Sequence, residues 1–134
     1  MRRSRLTALV VAAAFTVVAA VAAPLPARTS EAQMVGVTIT PKDLPASGEW
    51  QFEVTMNTHV TPLEDDLAAS AMLVDGQGRT YAPLAWRGDG PGAHHRKGVL
   101  AFAPITPRRA AIELRSQRRG EATPRSFKWT LPAQ

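Results

Sequence analysis

The chain contains no cysteine, so no disulfide can hold its fold and no lipid can be attached through a cysteine. Aromatic residues are sparse, at 6% of 134, and no continuous basic helix or stripe accompanies them, which leaves nucleic acid without a footprint. No serine lies in a G-x-S-x-G elbow: Ser70, Ser116 and Ser126 all fall outside the segments that carry the histidines. A catalytic triad is therefore not expected, and the chain does not read as an enzyme. Histidine itself is scarce, and that scarcity makes His59, His94 and His95 worth following. With no covalent staple, about 100 residues must stabilise themselves by burial alone.

What is present begins with MRRSRLTALVVAAAFTVVAAVAA. Arg2, Arg3 and Arg5 precede an apolar run from Leu6 to Ala23, and Ala20-Val21-Ala22 offers a small-x-small cleavage site. This is the layout of a secretory signal peptide over residues 1–22, helical in its apolar part, and it predicts an exported product, periplasmic or secreted. The alternative is an uncleaved leader that anchors the chain, the only route to a membrane. Residues 23–34, PLPARTSEAQ at their centre, are polar, proline-containing and without period, and read as a linker.

Without the three leader arginines the chain carries 13 basic and 11 acidic residues, a net of +2 against +5 for the whole. The signs segregate. Glu31 to Gly78 holds eight carboxylates and one lysine, whereas Arg79 to Gln134 holds eleven Lys/Arg and three acids. Such asymmetry steers charged partners unless the fold interleaves the halves.

From Val35 the pattern is alternation. Val35, Val37 and Ile39 alternate with small or polar residues, as do Trp50, Phe52, Val54 and Met56, which marks strands with one face in a core. Ala68–Asp75 and Arg79–Trp86 flank Gly76-Gln77-Gly78, a hairpin signal. Val99–Ala103, Ala110–Ser116 and Ser126–Leu131 complete seven expected strands, with Met56, Met72, Trp86 and Trp129 as core residues. The expected fold of residues 35–134 is all-β, an immunoglobulin-like antiparallel sandwich. Thr61-Pro62-Leu63-Glu64 is a capping box that predicts a helical turn or two from Pro62, ending near Leu67.

Seven strands that each cross the body once alternate between its two ends. One end then collects 57–67, 87–97 and 117–124, and with them all three histidines, Glu64, Asp65, Asp66, Asp89 and the Arg118-Arg119 pair. His59, Asp65, Asp66, His94 and His95 form a candidate site for a divalent ion, copper or zinc, because neutral imidazole suits these borderline ions and a carboxylate completes the set. Arg96 and Lys97 oppose a cation there. The alternative is that His94 or His95 bonds to Asp65 or Asp66 and pins the loops, as in a structural or protein-interaction module of the cell envelope. A positive rim of Arg87, His94, His95, Arg96, Lys97, Arg118 and Arg119 is a further option, able to hold an acidic group.

At NTHV, PLEDDL, GPGAHHRKGVLAF and SFKW the chain resembles an uncharacterised family of small exported proteins, over about Val37 to Leu131. The family pattern is an NTH segment, an aspartate, a GGHH-x-x-G-x-L-x-F run and an F-x-W strand; Ala93 stands here where the pattern has a second glycine. The resemblance implies that His59, Asp66, His94 and His95 belong together. The expected partners are accordingly a divalent metal ion or an envelope protein.

Overall fold

The computed structural model describes residues 13–17 and 24–132. The leader expected over 1–22, with its helix and cleavage site, lies outside these residues except for 13–17, which carry no helix or strand. Among the described residues no helix is long and apolar enough to cross a membrane.

The rest is a two-sheet antiparallel sandwich. Its elements are β1 (Arg28–Ala32), β2 (Val35–Pro41), β3 (Trp50–Thr58), α1 (Leu67–Ser70), β4 (Ala71–Asp75), β5 (Thr80–Tyr81), β6 (Ala85–Gly88), β7 (His95–Phe102), β8 (Ala111–Ser116) and β9 (Arg125–Thr130). The first sheet runs β1-β2-β3-β7-β6 and the second β5-β4-β8-β9. The residues that alternate in sequence meet between the sheets. Val35, Val37, Ile39, Trp50, Phe52, Val54 and Met56 are buried against Ile112, Leu114, Phe127, Trp129 and Leu131. Phe52 meets the edge of Phe102 at 5.6 Å, a geometry that aligns ring edge and face.

Among the described residues nine strands stand where seven were expected, for two reasons. The linker assigned to 23–34 contains β1, paired along its length with β2 from Arg28↔Ile39 to Ala32↔Val35. Both faces of β1 are largely exposed, so it has no alternation to betray it. The expected strand 79–86 is broken: β5 pairs with β4, β6 pairs with β7, and the chain changes sheet between them at Ala82-Pro83-Leu84. A proline without an N–H is suited to that crossing. Met72, expected in the core, lies on the outer face of β4, opposite Arg115.

The helix also moves. Residues 62–66 stay non-helical because Leu63 donates its N–H to Ala93 and accepts from the Gly92 N–H, which ties this segment to the β6–β7 loop. The helical turn starts only at Leu67, where Asp66 caps it by accepting from the Ala69 N–H at 3.2 Å. Leu63 and Leu67 turn inward and close the end of the core.

Since β5 and β6 together make one traverse, the alternation of ends survives. Thr58, His95, Ala71, Ser116 and Arg125 lie at strand termini of one end, and the β1–β2 turn joins them there.

Candidate functional site

The loop end is organised by three arginines, Arg96 and Arg125 buried and Arg118 partly buried. Arg96 is 2% exposed. It alternates inward on β7, across from Met56, and its guanidinium donates to the backbone carbonyls of Asp65 (2.7 Å), Asp89 (3.0 Å) and Leu63 (3.4 Å) while lying 5.8 Å from the Trp86 ring. A carboxylate is not among its partners; the carbonyls and the ring face disperse its charge. The β7 strand can pass so close to β6 because Gly88 and Gly98 face each other under the Trp86 indole.

Arg118 binds Asp65 through two bonds, 2.8 and 3.1 Å, and reaches Glu121 at 3.2 Å. Burial alone would lower the Arg118 pKa, but the Asp65 and Glu121 carboxylates outweigh it and raise it. Arg125 takes Glu121 from the other side in a fork of 2.9 and 2.8 Å, and its remaining N–H groups donate to Ser30, Ala32 and Val35 carbonyls. The Arg125 fork, against the opposing effect of burial, holds the Glu121 carboxyl below the usual carboxylate range. This chain of charges clamps the β1–β2 turn, the segment before α1 and the β8–β9 loop into one frame.

On that frame sits an imidazole pair. Asn57 and His95 are cross-strand partners in β3 and β7, and the His95 Nδ1 lies 2.6 Å from the Asn57 Oδ1. An amide oxygen only accepts, so Nδ1 is the donor in this bond, and in the neutral ring the lone pair is then on Nε2. The His59 ring stands edge-to-face with that of His95, centroids 6.1 Å apart and planes at 79°. Further along the same outward row, β1 places Glu31 across from Gly36, with the carboxylate folded over the glycine. A Cβ at Gly36 would meet its oxygen at 2.5 Å.

The other expected ligands go elsewhere. Asp65 is held by Arg118 and Asp66 by the helix it caps. His94 is an exposed bend residue just before β7 and contributes its backbone carbonyl to the Thr58 N–H. Among the described residues no three His, Asp or Glu side chains are grouped to hold a metal ion. The proposed pinning of His94 or His95 by Asp65 or Asp66 is likewise replaced, by Asn57 for His95 and by arginine for Asp65. The positive rim disperses: Arg96 is buried, Arg118 is paired, and Arg87 forms a two-pronged bond with Glu49 at 2.8 Å.

A shallow groove of about 520 Å³ lies elsewhere, beside Asp75, Glu113, Arg115 and Lys128. Glu113 lies between Arg115 and Lys128, Asp75 is bound to Arg79, and Arg28 donates to the Lys128 carbonyl. Asn57 and Arg125, which orient the loop end, were not singled out by sequence reasoning. Asn57 belongs to the same NTHV run as His59, and the register that aligns it with His95 appears only once β7 is known to start four residues before Val99. Comparison of the chain with known protein families, with characterised proteins and with solved structures finds no match.

Proposed function

We propose that the protein is an exported, non-enzymatic binding protein that holds a copper or zinc ion between His59 and His95 at the loop end of the sandwich. The observation that carries this reading is the 2.6 Å bond from His95 to Asn57 beside the His59 ring. Metal-ligating imidazoles characteristically donate their second N–H to an oxygen, which fixes the tautomer and aims the free nitrogen. The 6.1 Å between centroids lies within the span of one bridging ion. Two M–N bonds of about 2.1 Å, laid end to end with the imidazole half-widths, reach roughly 6.4 Å. Asp65, Asp66 and His94 are outside this shell, and exogenous donors or solvent would fill the remaining positions.

Calorimetric titration of the purified chain with Cu²⁺ and Zn²⁺ tests it. His59→Ala and His95→Ala should each abolish tight binding, His94→Ala and Asp66→Asn should leave it in place, and Asn57→Leu should weaken it by about ten-fold or more. Equal affinity in the wild type and the His59→Ala/His95→Ala double variant would overturn the reading.

A second reading is favoured by a different observation: Met34 and Val60, 72% and 51% exposed, stand at the same rigid end. As an interaction module of the cell envelope the protein would offer them as apolar anchors. A partner retained by the double histidine variant but lost by Val60→Asp would support that reading over the first.

A further inference from the structure

We infer that Met34 is the third donor of the loop-end site and that its thioether makes the site select cuprous copper over zinc, an assignment that rests on the His59–His95 reading above. Met34 is an odd residue for its place. It and Gln33 form the two-residue turn of the β1–β2 hairpin, with φ of +62° and +47°. Two positive φ angles in such a turn call for Asn-Gly or similar pairs, since a side chain in the left-handed region crowds its own backbone. Strain of that kind is usually offset by packing, yet this methionine is 72% exposed.

The turn is nonetheless held firmly where it is. Arg125 spends three N–H groups on the carbonyls of Ser30, Ala32 and Val35, which surround the turn. The Thr58 hydroxyl donates to the Met34 carbonyl at 3.0 Å and accepts from the Val60 N–H at 3.3 Å. Val35 pairs with Thr58 at the ends of β2 and β3, and Met34 and His59 each follow by one residue beyond that last pair, side by side at the loop end. A strained residue persists only where its surroundings over-determine it, and such positions gather at ligand sites.

The chemistry then selects the ion. Two neutral imidazoles and a thioether bring no anionic charge to a divalent cation, and the soft sulfur favours Cu(I). The Glu31 carboxylate lies over Gly36, on the far side of Asn57 from His95.

The test uses the purified chain, with Cu(I) measured anaerobically by competition against a chromophoric chelator and Zn²⁺ by calorimetry. Met34→Leu keeps the apolar bulk and removes the sulfur. It should weaken Cu(I) by about ten-fold or more and leave Zn²⁺ within about two-fold. Met34→Gly should do the same while raising the thermal midpoint, because glycine relieves the turn; a merely structural methionine would not give a more stable protein that binds less copper. Unchanged Cu(I) affinity in Met34→Leu, with His59→Ala and His95→Ala still abolishing binding, overturns the assignment and spares the two-imidazole reading. Wild-type Cu(I) and Zn²⁺ binding in the histidine variants overturns both. Parallel loss of Zn²⁺ and Cu(I) in Met34→Leu overturns the selectivity.

Discussion

Asp75 shows how much one side chain can carry in a chain with no disulfide. Its Oδ1 accepts from the backbone N–H groups of Gln77 and Arg79 at 2.9 and 3.0 Å, and its Oδ2 from Arg79 Nε and the Tyr81 hydroxyl at 2.8 and 3.0 Å. Burial by itself raises the carboxyl pKa, but the donors outweigh it and bring it from the ordinary 3.8 to about 2. A pKa depressed by folding contributes stability that is complete above the unfolded value and is lost as pH falls through the folded one. Urea midpoints measured from about pH 6 down to about pH 2 should therefore fall below pH 4, with Glu121 adding to the same slope. Asp75→Asn should be less stable than the wild type at pH 6 and flatter between pH 4 and 2. A variant curve parallel to the wild type throughout would place the linkage elsewhere. The DGQG turn was legible in the sequence, but not its hub, because the donors at Gln77, Arg79 and Tyr81 become neighbours only once the turn exists.

At the scale of elements, alternation exposed β2, β3, β8 and β9, each with one buried face, and failed at β1, which has none. Val35, Val37 and Ile39 announced β2, whereas β1, its partner, is exposed on both sides and read as linker. The start of β7 was missed for a related reason. In HHRKG the inward residues are Arg96 and Gly98, and neither carries an apolar signal, since one is a buried cation and the other a space for Trp86. Gly98 supplies a direct test of that strand pairing. A Cβ there would meet the Arg87 carbonyl and the Gly88 Cα at 2.6 Å and the Trp86 ring at 2.7 Å. Backbone on two sides cannot give way as a side chain can, so Gly98→Ala should lower unfolding free energy by about 2 kcal/mol or more. It should also shift Trp86 fluorescence through the displaced indole. A variant with wild-type stability would show that β6 and β7 are not in this register. The same substitution at Gly76, where a Cβ meets nothing, should cost far less.

For the molecule as a whole, folding interleaves the two sequence halves and pairs part of their segregated charge. Asp65 and Glu49, from the acidic half, are bound by Arg118 and Arg87 from the basic half, as expected where strands from both halves share sheets. Counting traverses was enough to bring His59 and His95 to one end, because an even or odd number of crossings does not depend on strand order. It could not say which side chains would face each other there, since that follows from register and from arginines that sequence alone leaves unassigned. Arg125 is the clearest case. From β9 in the second sheet it reaches β1 in the first, and all five of its N–H groups are used, two on Glu121 and three on the carbonyls of Ser30, Ala32 and Val35. Together with Arg28 on the Lys128 carbonyl and Trp129 on that of Pro26, it closes the seam between the two sheets. Arg125→Met leaves the Glu121 carboxylate without its fork and removes one donor from each of three carbonyls, and should lower stability by about 3–5 kcal/mol. Hydrogen exchange should then show β1 amides losing protection before those of β3 and β8, and the copper binding proposed above should weaken in the same variant, since the Met34 turn hangs on the same guanidinium. Uniform loss of protection across both sheets would mean that β1 is an integral part of the core and not a flap sealed by one arginine.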